Sequence, residues 1–223
     1  MRTGGLTRVA ALLSSTWRRA LVHDDKRVSP RGEVASIRAK ISTYEDVLLN
    51  WVISEAIGES WQHAYRPLVG NALWERLKAY GLDVLPSLGA SERLTLLGAL
   101  FDHRRPILAD YPLHSYVRFR RRRAALREIE RFMVIPFFAQ FGITSVTELS
   151  ERLHADQMPT LAGMRADVLA IIEARRHGRA AHGTPIAALP RGAMGPVLVE
   201  GYKRSIAAMW MSERFVQLYI CEE

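Results

Sequence analysis

The sequence predicts a mostly α protein, an irregular helical bundle with a possible short C-terminal strand. Three observations lead to this prediction. Apolar residues recur at steps of three and four in at least five segments, which is the spacing of one buried helix face. Glycines and prolines divide these segments into blocks of helix length. Outside the C-terminal tail, no segment shows the alternating apolar pattern of a half-buried strand.

Composition limits the class of protein. The chain has 223 residues, of which 48% are hydrophobic and 24% charged, so it is too apolar for a disordered chain and long enough to bury a core. Cys221 is the only cysteine, which excludes an intramolecular disulfide framework, a thiolate zinc cluster and a CxxC pair. The net charge is +8, and 27 of the 31 basic residues are arginines. This bias favours acidic or phosphate-bearing partners, or it follows from the base composition of the gene.

The N-terminal segment predicts a basic amphipathic leader over residues 1–31, loosely attached to a single helical domain over residues 32–223. The first acidic residue is Asp24, after four arginines. Such a segment is typical of the first helix of a cytoplasmic protein or, as the alternative, of an organellar transit peptide. The longest uncharged run, 132–147, is shorter than the roughly 20 residues that cross a bilayer, so no membrane span is predicted.

The first half of the domain predicts three helices. An a/d stripe defines the first, and its members are Val34, Ile37, Ile41, Tyr44, Leu48 and Trp51. The second runs from Asn71 to Tyr80 and is closed by Gly81. Ser91 can cap the third, and Pro106 and Pro112 bracket a turn-rich stretch after it.

Residues 117–133 predict an arginine-rich helix with an apolar face. Four arginines recur there at steps of three, four and four and would form one basic ridge along that helix. They are Arg120, Arg123, Arg127 and Arg131. Like charges repel, so the ridge requires an acidic counterpart. An acidic protein surface is the predicted partner, and a nucleic-acid phosphate backbone is the alternative. The candidate partner-binding residues are Arg118, Arg120, Arg121, Arg123, Arg127 and Arg131.

The C-terminal half predicts further helices. Ser145 and Glu148 have capping-box spacing, and Thr160 begins a helix that ends in a basic turn. Residues 177–196 are rich in glycine and proline and predict a loop or linker. Val197–Ile220 predicts one long helix, although its β-branched and aromatic tail, Phe215–Ile220, could instead form a short strand.

Sequence motifs predict no catalytic, cofactor or metal site. The seven histidines form no HExxH pattern, Asp102 and His103 have no accompanying GxSxG, and neither a P-loop nor a GxGxxG is present. The predicted function is therefore a non-enzymatic cytoplasmic interaction or assembly protein. The alternative is a nucleic-acid-binding protein that uses the arginine-rich helix. An enzyme with a dispersed site leaves no sequence motif and stays open.

Two neighbouring stretches carry a family resemblance. They are "SERLTLLGALFDHRRPI" at Ser91–Ile107 and "RFRRRRAALREI" at Arg118–Ile129, and together with the gap they cover about 40 residues. They resemble the central part of the SctK-type accessory proteins of bacterial type III secretion. The resemblance implies a soluble, helical, cytoplasmic component of the sorting platform beneath the export apparatus. It implies an assembly role and no catalytic residue.

Overall fold

The structure is a computed structural model that describes residues 40–58, 60–178 and 183–223. All of them belong to one unit, Ile37–Glu223. The predicted leader over residues 1–31 and the stripe positions Val34 and Ile37 lie outside the described residues. No helix in the described ranges is both long and apolar enough to cross a membrane.

A six-stranded mixed sheet forms the centre of the described fold. Its strand order is β1-β2-β6-β4-β5-β3. The pairs β1–β2, β2–β6 and β4–β5 are antiparallel, and the pairs β4–β6 and β3–β5 are parallel. The strands are β1 Lys40–Ile41, β2 Arg118–Ala125, β3 Met133–Val134, β4 Ile186–Leu189, β5 Val197–Glu200 and β6 Phe215–Glu222.

Helices cover both faces of this sheet. The α-helices of the described ranges are α1 Tyr44–Ala56, α2 Gln62–Val69, α3 Asn71–Tyr80, α4 Ala90–Asp110, α5 Leu126–Ile129, α6 Pro136–Ala139, α7 Val146–His154, α8 Ala162–Arg176 and α9 Tyr202–Trp210. Short 3₁₀ helices lie at Gly81–Ser87, Leu113–Ser115 and Pro159–Leu161.

Side chains that alternate along the strands enter two separate cores. On β6, Tyr219 and Cys221 pack with α1 to α4, whereas Leu218 and Ile220 pack with α5 to α9. On β4, Ala187 likewise faces the second core, between two residues that face the first. Successive side chains of a strand point to opposite faces, so the sheet lies between two helical layers.

The predicted fold class, a mostly α bundle, is therefore wrong, and so is an all-α description. The segment Val197–Ile220 is not one helix, because it contains β5, α9 and β6. The strand alternative at Phe215–Ile220 is confirmed, and the strand continues to Glu222. The central strands are buried on both faces, so their apolar residues form continuous runs that cannot be distinguished from a buried helix by periodicity.

Two further predictions from proline and glycine are corrected. The predicted loop at 177–196 contains β4, whose Ile186, Ala187 and Ala188 are fully buried. The prediction of a turn-rich stretch from Pro106 is wrong, because α4 continues through Pro106 to Asp110. The backbone dihedral angles of Arg104 within this helix are not helical. A proline inside a helix removes one backbone hydrogen bond and can kink the helix. In α4 the helix is kinked near Pro106 and does not end there.

Predictions based on helix ends are confirmed at Gly81 and Ser145, and the predicted cap at Ser91 is wrong, because α4 begins at Ala90 after Gly89. The helix Asn71–Tyr80 has the predicted bounds and ends at Gly81, whose φ is +56°. The Ser145 hydroxyl accepts a hydrogen bond from the Glu148 N–H at the start of α7. In the first predicted helix, Tyr44 begins α1, but Ile41 lies in β1. Thr160 lies in a 3₁₀ turn, and α8 begins two residues later at Ala162.

Candidate functional site

The arginines of residues 118–123 lie on a strand rather than on the predicted helix. On β2, Phe119 enters the core formed with α1 to α4, and Ala124 enters the opposite core. Strand alternation therefore places Arg121 and Arg123 on the first face and Arg118, Arg120 and Arg122 on the second. The predicted single ridge is wrong, because Arg120 and Arg123 point to opposite faces.

The position of β2 in the sheet explains how a strand tolerates so many arginines. Among the described residues, only β1, Lys40–Ile41, lies beyond it, so in this part of the chain β2 is close to the margin of the sheet. Its partner on the inner side is β6, which carries buried apolar residues. Charged side chains at a sheet margin remain in water and oppose unwanted strand pairing. We call the six candidate residues Arg118, Arg120, Arg121, Arg123, Arg127 and Arg131 the arginine margin.

Exposure and pairing distinguish these six residues from their neighbours. Five of the six are exposed, and Arg121 is half-buried. Among the described carboxylates, none lies within salt-bridge distance of any residue of the arginine margin. The margin is therefore a positive surface without an acidic counterpart in the described part of the chain.

Arg122 shows the contrasting situation on the same strand. Its Nη2 donates to Glu128 Oε2 at 2.7 Å, and the Ala125 N–H donates to Glu128 Oε1 at 3.0 Å. The hydrogen bond from Arg122, followed by the one from Ala125 and the nearby positive charges, holds the pKa of Glu128 below its usual value despite some opposing desolvation. Glu128 thus forms a salt bridge with Arg122 and caps α5, whereas Arg127 of the arginine margin acts on it only through its nearby charge.

An aromatic ring adjoins the arginine margin at the end of the β2–β6 ladder. Phe215 pairs with Ala125 across the ladder, so it is the diagonal neighbour of Arg123 on the same face. The Arg123 guanidinium carbon lies 4.7 Å from the centroid of the Phe215 ring, and Phe215 is 44% exposed. The neighbouring Arg214 is also exposed. The residues of this pair are far apart in sequence, so only the strand register brings them together.

A second polar arrangement is buried among α1, α2 and α4, within the first helical layer. Arg104 of α4 donates to both oxygens of Glu55 on α1, at 2.5–3.0 Å, and the Tyr65 hydroxyl donates to Glu55 at 2.5 Å. Burial first, and the Glu55 charge second, raise the pKa of Tyr65. The guanidinium of Arg104 also lies 4.0 Å from the Trp61 ring centroid.

A further group of polar contacts lies at the turn between β5 and α9. Lys203 pairs with Asp167 of α8, and both side chains contact the hydroxyl of Ser60, at 3.0 and 2.6 Å. Arg204 pairs with Glu200 at 2.7 Å. These contacts join residues of both helical layers around the end of β5. The sequence contains no local signal for them, since Ser60 and Lys203 are 143 residues apart.

Gly201 permits the turn itself. Its φ is +93°, a conformation that L side chains rarely adopt, and a Cβ placed there would lie 2.6 Å from the Pro185 Cα. The residue at this position therefore has to be a glycine for β5 to enter α9 directly.

The candidate site is a surface rather than a pocket. A cavity of about 520 Å³ lies beside α8, and none of the six arginines lines it. Its lining residues are His154, Leu169, Ala170, Ile172, Glu173, Arg176 and Trp210.

Comparison with known proteins returned no match to a family model, to a curated protein or to a solved structure. The resemblance of Ser91–Ile107 to the SctK-type proteins stays a prediction. Fold and surface together define an α/β protein with helices on both faces of a mixed sheet and an arginine-rich sheet margin.

Proposed function

We propose that this protein is a non-enzymatic interaction protein whose arginine margin binds a polyanionic partner. The observation that supports the proposal most is the pairing of charges. Five of the six arginines are exposed, and none has a described carboxylate within salt-bridge distance. A surface of one sign attracts and orients a partner of the opposite sign. The proposal includes a cytoplasmic location and a place in a larger bacterial assembly, as the SctK-type resemblance implies.

Two classes of polyanion fit an arginine surface. The planar guanidinium pairs bidentately with the carboxylates of an acidic protein and with the phosphates of a nucleic acid. On one face of a strand, side chains two residues apart are separated by about 6.8 Å. Each face of β2 therefore presents two arginines of the margin at this spacing. They are Arg118 and Arg120 on one face and Arg121 and Arg123 on the other.

The test replaces two arginines of the margin without reversing their charge. We expect Arg120→Gln/Arg123→Gln to elute from immobilised heparin at lower salt than the wild type, because each face of the arginine margin loses one positive charge. The matched control is Arg66→Gln/Arg105→Gln, which removes the same charge from exposed sites on α2 and α4.

We expect both double variants to be folded, because exposed substitutions change stability by only about 0.5 kcal/mol. Circular dichroism and a melting curve check this expectation. If the control elutes as early as the margin variant, total charge alone determines retention. The arginine margin is then not a binding surface.

A further inference from the structure

We infer that the partner of the arginine margin is a single-stranded nucleic acid, one base of which stacks on Phe215. The inference rests on the proposed function and names the partner of that same surface.

The first step is the environment of the ring. Phe215 is an exposed aromatic residue whose ring has the guanidinium of Arg123 at 4.7 Å from its centroid. Arg214 precedes it, and the Arg214 carbonyl accepts the Leu126 N–H at 3.2 Å, one residue before Arg127. The ring thus lies at the point where β2 ends and β6 begins, with exposed arginines on both segments. Aromatic rings interleaved with cations form the stacking platforms that bind unpaired bases.

The second step is the choice between the two polyanions. An acidic protein surface supplies carboxylates for the arginines, but it does not pair each anionic group with a flat group for the ring. A nucleotide supplies both, because its phosphate pairs with a guanidinium and its base has a planar face. The combination of unpaired arginines and an exposed ring therefore matches a nucleic acid better than an acidic protein.

The third step is the choice between single and double strands. In a duplex the base faces are stacked on one another, so a ring at the protein surface cannot reach them without unstacking. An extended single strand leaves these faces accessible. The regular spacing of Arg121 and Arg123 on the face of Phe215 suits an extended phosphate chain.

The experiment measures the fluorescence anisotropy of three labelled probes with the full chain. The probes are a short oligothymidine, a duplex of the same length and poly-glutamate. We expect the oligothymidine to bind most tightly. Phe215→Ala should weaken its binding about tenfold, because one stacked base is lost. Phe215→Trp should bind at least as well as the wild type. The control Phe137→Ala removes a ring that is 53% exposed on α6 and should change nothing.

The outcomes separate the inference from the proposed function. If Phe215→Ala and Phe215→Trp both bind oligothymidine like the wild type, while Arg120→Gln/Arg123→Gln binds it weakly, the stacking inference is overturned and the proposed function stands. Equal or tighter binding of the duplex or of poly-glutamate also overturns the inference. If Arg120→Gln/Arg123→Gln binds all three probes as the wild type does, the proposed function fails.

Discussion

The ion pair formed by Arg104 and Glu55 is buried within the layer of α1 to α4. Their side chains are 15% and 8% exposed. We expect Glu55→Gln to lower the free energy of unfolding by about 3 kcal/mol, because Arg104 then remains a buried charge without its counter-ion. Urea denaturation measures this change. The control Glu75→Gln removes the exposed partner of Arg66 and should cost less than about 0.5 kcal/mol. Equal losses would show that the buried network contributes little.

Glu128 gives a prediction about pH. Its pKa in the folded protein lies below the usual value, chiefly because Arg122 hydrogen-bonds its carboxylate. As pH falls, the unfolded chain therefore takes up this proton first. The stabilisation is complete above the unfolded pKa of about 4.3 and is lost as pH falls through the lower folded pKa.

Glu128→Gln should accordingly lower the melting temperature slightly at neutral pH. The difference from the wild type should disappear as the pH falls through the folded pKa. The effect is small because the carboxylate is 42% exposed and screened by solvent. A difference that persists unchanged at low pH would contradict the assignment of this carboxylate as the titrating group.

At the scale of secondary structure, the pairing of β2 with β6 can be tested by a cross-link. Phe119 lies directly opposite Cys221 in the ladder. The Phe119 carbonyl accepts the N–H of Ser42 on the other side, so Phe119 and Cys221 form a non-hydrogen-bonded pair with closely spaced Cα atoms. Such a spacing falls within the range of disulfides.

We expect Phe119→Cys to form a disulfide with Cys221 during refolding in a glutathione buffer, detected by mass spectrometry before and after reduction. Refolding is necessary because burial raises the pKa of the Cys221 thiol to about 12, which suppresses the reactive thiolate in the folded state. In the control Arg120→Cys, the new thiol faces the opposite side of the sheet and should remain free. Failure of Phe119→Cys to cross-link, or equal cross-linking of both variants, would contradict the register.

Several helix ends were predictable from local signals, whereas among the strands only β6 was, as the alternative at Phe215–Ile220. The glycine after Tyr80 and the serine before α7 act within one helical turn, so the sequence near each end contains the whole signal. The strand β2 depends on β6, which lies almost a hundred residues further along the chain. Arginines occupy most of its positions, so its buried residues Phe119 and Ala124 do not form an alternating apolar pattern. The sequence therefore predicts a helix where the structure has a strand.

At the scale of the whole molecule, the role of the six arginines as binding residues stays a prediction, and their arrangement in the structure differs from the predicted one. Unpaired arginines in a basic chain indicate an acidic partner whatever secondary structure carries them. Their distribution over two faces of a sheet margin follows from the strand. The neighbouring ring of Phe215 follows only from the register of that strand with β6, which no local pattern reports.

The measurement that tests the central claim most directly is the salt dependence of oligothymidine binding. For single strands, the logarithm of the affinity falls with the logarithm of salt concentration with a slope of about −0.7 per neutralised phosphate. If Arg121 and Arg123, on the face of Phe215, each neutralise one phosphate, Arg121→Gln/Arg123→Gln should reduce the magnitude of the slope by about 1.4. The control Arg66→Gln/Arg105→Gln should retain the slope of the wild type. A margin variant with the slope of the wild type would contradict the claim that the arginine margin is the binding surface.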